Sequence, residues 1–147
     1  MIRSVFLSLA CLLVGAVSSF AHCQVPCGVY TDEMRFTMIE EDLQTIEKAM
    51  GKITQLSAAS KPDYATLTRW TTTKESHADN IQKIVSEYFM TQRIKPDAEK
   101  YAEKLATLHQ MLISAMKCKQ TVDTANVSKS RELAAKFNAL YFGKASH

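Results

Sequence analysis

Imidazole, thiol and phenol side chains crowd into one short stretch, His22-Cys23-Gln24-Val25-Pro26-Cys27-Gly28-Val29-Tyr30. A cut just before His22 would free its α-amine, whose ordinary pKa of about 7.7 to 8.0 lets it give up a proton to a metal near neutrality. That amine and the deprotonated backbone nitrogen of Cys23 close one chelate ring. The same nitrogen and the Cys23 thiolate close a second. These donors are forced towards one plane, and Cys27, returning after a short loop, can bring another thiolate to the remaining corner. The His22 imidazole grows from the chelating residue itself and reaches only an axial position.

A planar set of two nitrogens and two thiolates suits Ni(II) or Cu(II) and does not suit zinc, which takes a tetrahedron. Anionic thiolate and amidate donors stabilise the higher oxidation state, and an axial imidazole adds to this, so a one-electron Ni(II)/Ni(III) cycle becomes accessible. Competing uses of the same residues are fewer. A bare C-x3-C in an exported chain is most often a disulfide. The spacing is not the C-x-x-C of a thioredoxin-like site. Gln24 stands where an amino-terminal copper motif needs histidine, and no H-E-x-x-H of a zinc protease occurs.

The cut itself is legible. Arg3 supplies a positive start, Val5–Val17 an apolar run, and Ser19 and Ala21 the small residues that a signal peptidase requires. A membrane-spanning helix needs roughly 20 apolar residues, more than this run provides. Residues 1–21 are therefore expected to be a cleaved secretory signal, leaving a protein exported to the periplasm or the exterior, without nucleic-acid or membrane partners. Of the four cysteines, removal of Cys11 leaves Cys23, Cys27 and Cys118. That odd number cannot all be paired, and Cys118 is expected to be a buried free thiol.

What positions this stretch is helical. From Thr31 the apolar residues Phe36, Ile39, Leu43, Ile46, Met50, Ile53 and Leu56 recur every three or four positions, one stripe of a long helix. Thr31 is the expected N-cap, with Asp32 and Glu33 favourable in the first turn. Pro62 is expected to open a second helix at its first turn, carrying Leu67, Trp70, Ile81, Ile84 and Tyr88. Lys95-Pro96 ends it and starts a third, with Ala98, Tyr101, Leu105, Leu108, Leu112 and Ala115 aligned. A last helix aligns Ser130, Leu133, Phe137 and Leu140 and stops near Gly143. His77 is the odd residue on the second stripe, a turn after Lys74. The expected fold is an all-α antiparallel four-helix bundle over residues 31–147, preceded by a metal-binding hook at 22–30.

Composition agrees. Four glycines and three prolines are too few for a sandwich of many short strands, and 46% hydrophobic residues exclude a disordered chain. A net charge of +3 does not mark a nucleic-acid binder.

His-Cys-x-x-Pro-Cys-Gly-x-Tyr directly after a processing site resembles the nickel hook of the nickel superoxide dismutases. The likeness continues through the helical body, including Lys74-Glu75-Ser76-His77 to Ser86-Glu87-Tyr88-Phe89. The resemblance implies dismutation of superoxide to dioxygen and hydrogen peroxide, with one nickel ion per subunit bound by His22, Cys23 and Cys27. It implies that Pro26 keeps the bend that returns Cys27 and that Gly28 lets the backbone leave tightly. Tyr30 would stand over the open face of the metal as a catalytic residue that orders water and restricts access, and Tyr88 would line the same entrance. Gln24 departs from the acidic residue frequent at its position. His77 takes the place of an arginine that supports the axial histidine, and Glu40, with Glu41 beside it, would hold the imidazole of His22. A homohexamer with hooks protected between subunits is also implied. Two rival readings are a non-catalytic exported helical module with a Cys23–Cys27 disulfide, and a metal carrier using the same hook.

Overall fold

The computed structural model describes residues 30–143. The signal segment and the hook residues His22, Cys23, Gln24, Pro26, Cys27 and Gly28 lie outside the described residues. Four helices follow Tyr30: α1 (Asp32–Ser57), α2 (Tyr64–Lys83), α3 (Tyr101–Gln120) and α4 (Ala125–Phe142), with α2 running on as a π-helix over Ile84–Arg93. None of these is long and apolar enough to cross a membrane.

Side-chain pairings give the topology. Asp32 meets Tyr88 and Asp42 meets His77, so α1 and α2 run in opposite directions. Lys74 reaches Cys118 while Gln82 reaches Leu112, and Ser130 meets Ser114 while Lys136 meets Glu103. Arg131 pairs with Glu47 and Tyr141 with Asp32, closing α4 against α1. The result is the up-down-up-down bundle expected of four apolar stripes joined by short links.

The stripe of α1 buries Ile39, Leu43, Ile46 and Met50; α4 buries Val127, Leu133 and Phe137. Residues this fully removed from water contribute roughly 1.5–3 kcal/mol each for the large side chains. In α3 the buried line runs through Leu108, Met111, Ala115 and Cys118, a small rotation from the expected one, leaving Leu105 and Leu112 half-buried. At the end of the bundle where α1 begins, Phe36, Phe89 and Phe137 stack with centroids 5.0, 5.6 and 4.9 Å apart. These rings make a rigid apolar floor beneath the start of α1.

Helix ends follow capping chemistry. The Thr31 hydroxyl accepts from Met34 N at 3.2 Å, as expected, and Gly143 closes α4 at φ +68°. Two expected boundaries shift. Pro62 lies ahead of α2, not within its first turn, because Asp63 is the better cap: its carboxylate accepts from Thr66 N at 3.1 Å and from the Thr66 hydroxyl at 2.7 Å. Ala98 falls in the turn before α3, which begins at Tyr101 after Lys100 takes the left-handed conformation, φ 54°. Pro96 disfavours helix at Lys95, so the chain needs this turn before it can enter the third helix.

Candidate metal centre

Tyr30 is exposed and stands one residue before the Thr31 cap. The first residue of α1, Asp32, is the centre of a polar network over the aromatic floor. Its carboxylate accepts a short hydrogen bond from the Tyr88 hydroxyl and a second from the Tyr141 hydroxyl at 2.7 Å. It also pairs with Arg93 at 3.0 Å. Burial works to raise the Asp32 pKa, but the hydrogen bonds from Tyr88 and Tyr141 and the Arg93 charge outweigh it and hold the carboxyl below its ordinary value. Burial and the same carboxylate push the pKa of Tyr88 and Tyr141 up, so both phenols stay protonated donors.

Tyr88 sits on the π-helix, and the wider turn decides its partner. There Ile94 N donates to Phe89 O, five residues back, at 3.0 Å, and Arg93 comes onto the face of Tyr88. Its guanidinium donates to the Tyr88 hydroxyl at 2.7 Å and lies 4.9 Å from the ring centroid. From α1, Arg35 approaches the same ring, its Cζ 4.6 Å from the Tyr88 centroid and 5.3 Å from that of Tyr30. Tyr30 and Tyr88, far apart in sequence, thus share one guanidinium.

Glu40 and His77 occupy different surroundings. Glu40, about 12 Å along α1 from Asp32 by helical rise, accepts from Arg131 Nε at 3.0 Å and from Gln44 at 3.3 Å. His77 Nδ1 donates to Asp42 at 2.6 Å, with Asn80 at 3.5 Å from the same oxygen. Burial raises the Asp42 pKa against the opposing pull of His77. Lys74, a turn before His77, is buried and donates to the carbonyls of Cys118, Lys119 and Thr121 at the end of α3. It is a helix cap. Cys118 is a buried free cysteine beside Ser130, and burial pushes its thiol pKa up.

Sequence reasoning missed Arg35, Arg93, Tyr141 and Asp42. Arg93 escapes a period of 3.6 because the π-turn brings position i+5 onto the face of Tyr88. Asp42 did leave a signal: a carboxylate between Ile39 and Ile46 on a buried stripe needs a partner.

Among the described residues no group of three His, Cys, Asp or Glu side chains could hold a metal. No curated protein and no solved structure matches the chain. The family model for nickel-containing superoxide dismutase matches residues 17–145, nearly the whole chain and the hook stretch with it. With the helical bundle in place behind that stretch, the chain belongs to the nickel-containing superoxide dismutase family.

Proposed function

We propose that dismutation runs at a nickel centre that the α-amine and imidazole of His22, the backbone nitrogen of Cys23 and the thiolates of Cys23 and Cys27 would hold. The donor chemistry fits nickel, since thiolate and amidate nitrogen favour a planar divalent ion. The observation that carries the reading is the position of Tyr30. Three residues after Cys27, it meets the guanidinium that also meets Tyr88, so the two tyrosines that the family likeness puts at the entrance lie at one end of the bundle.

Two superoxide anions and two protons give dioxygen and hydrogen peroxide, and nickel bound there supplies the one-electron oxidation and reduction. The chain's own groups set the surroundings. The exposed Tyr30 orders water and narrows access to small anions. Tyr88, anchored through its hydroxyl by Asp32 and Arg93, keeps a fixed wall to that entrance. The guanidiniums of Arg35 and Arg93 give it a positive cast, which favours arrival of an anion. Pro26 and Gly28 shape the loop, and Gln24 contributes through its backbone.

The leader 1–21 is removed on export by signal peptidase, to the periplasm or the exterior, and the mature chains assemble as a homohexamer that shields the hooks. Glu40 and His77 support the His22 imidazole across subunits or through rearrangement of their present contacts with Arg131 and Asp42. Intact mass, elemental analysis and thiol titration of the purified protein test the reading together. A chain starting at His22 with about one nickel per subunit is expected. Active protein holding only zinc or copper, or a Cys23–Cys27 disulfide, would overturn it.

A further inference from the structure

We infer that Tyr141, on the last helix, is a positioning residue that acts through Asp32 to lock the hydroxyl of Tyr88 in one orientation, and this rests on the entrance proposed above. Both oxygens of the Asp32 carboxylate are taken. Oδ1 accepts from the Tyr88 hydroxyl and pairs with Arg93 at 3.0 Å. Oδ2 accepts from the Tyr141 hydroxyl at 2.7 Å. The torsion that turns a carboxylate is soft, so a hold on one oxygen alone leaves the group free to swing. The second hold, at Oδ2, stops the swing and keeps Oδ1 facing Tyr88.

The Tyr88 hydroxyl is closed as a result. A phenol has one O–H to donate. Here that proton goes to Asp32, and the oxygen accepts from Arg93 Nη2 at 2.7 Å. Burial and the neighbouring carboxylate raise the Tyr88 pKa, so the proton stays. Tyr88 is thereby a wall with no O–H to offer to water or a small anion, and the exposed Tyr30 is the phenol that exchanges a proton at the entrance. The ring of Tyr141 does not need its hydroxyl for packing. Its centroid lies 5.5 Å from that of Phe89, 5.6 Å from that of Phe137 and 5.1 Å from that of Phe142, contacts that a phenylalanine would also make. What the hydroxyl adds is the bond to Asp32.

The test compares wild type, Tyr141→Phe, Tyr88→Phe and the double variant, each as nickel-loaded mature protein. Tyr141→Phe keeps the ring stack, so helical circular dichroism and nickel per subunit are expected to stay at their wild-type values. The Tyr88 hydroxyl proton, followed by NMR with labelled tyrosine, should exchange with water about tenfold or more faster in Tyr141→Phe, the factor that goes with losing one hydrogen bond to a charged group. In the same variant kcat/KM should fall, and Tyr141→Phe should have no further effect once Tyr88→Phe is in place. That non-additivity separates action through Tyr88 from a general loosening of the bundle. Wild-type exchange at Tyr88 in Tyr141→Phe, or additive losses in the double variant, would overturn the lock. Fast exchange in Tyr141→Phe with wild-type kcat/KM in Tyr88→Phe would keep the lock and overturn the placing of Tyr88 at the entrance.

Discussion

At Asp32 a single carboxylate takes hydrogen bonds from two phenols and an ion pair from Arg93. Replacing it by asparagine removes the anionic acceptor and leaves Tyr88 and Tyr141 weaker partners. Asp32→Asn is expected to cost about 1.5–3 kcal/mol in urea unfolding, the scale of hydrogen bonds to a charged group. The pH dependence has two limbs. Asp32 is depressed below its ordinary value of 3.8, so its stabilisation holds above that pH and is lost as pH falls through the folded value. Tyr88 and Tyr141 are raised above 10.0, so theirs is lost as pH rises beyond 10 towards the folded values. Stability measured against pH should show both limbs in wild type and shallower ones in Asp32→Asn; unchanged limbs would remove Asp32 from the centre of this network. The thiolates behave differently. Cys23→Ser or Cys27→Ser should abolish dismutation with helical circular dichroism unchanged, because the described core is built, Ile94 apart, from the helices. Tyr30→Phe should keep nickel and lose only part of the rate; loss of nickel would mean that Tyr30 holds the metal site together.

Among the elements, α2 is both the most legible and the least. Its apolar spacing announces a helix, and Ile81, Ile84 and Tyr88 are buried as that spacing requires. The conversion to a π-helix at Ile84 leaves no mark in the spacing, since Val85 and Phe89 are apolar as well and either winding would bury them. Arg93 becomes a partner of Tyr88 for that reason alone. The other stripes read directly because burial on one face is what makes them apolar. Starts and stops read less well: Pro62 and Asp63 both suit a helix entrance, and only the carboxylate has an acceptor to offer Thr66. Lys74 is buried because the end of α3 brings backbone carbonyls within reach of its ammonium group. Lys74→Met should leave the carbonyls of Cys118, Lys119 and Thr121 without this donor and cost about 1–3 kcal/mol, with faster amide exchange at the end of α3 and an unchanged dismutation rate per nickel. Equal stability of the variant and wild type would show that water caps that end as well.

For the whole molecule, the bundle and the hook divide the labour. The described core from Ile39 to Phe137 is built by the helices and Ile94, so nickel removal should abolish activity while the thermal unfolding of the helices barely changes. The proposed donors stand close together in the sequence and could be read from it; the network of Asp32, Tyr88, Arg93 and Tyr141 could not, because these residues meet only after four helices have packed, and Tyr88 alone of them was expected near the entrance. The division also makes processing decisive. While Ala21 remains joined to His22, the nitrogen of His22 is a peptide amide, a poor donor that must itself lose a proton to bind. The most direct measurement compares mature protein starting at His22 with the same chain carrying one added alanine before it, both exposed to nickel and assayed for dismutation. The account predicts that the added residue damages the rate nearly as much as loss of a cysteine, with the helices intact in both. Equal rates would show that the amine of His22 binds no metal and would contradict the proposed centre.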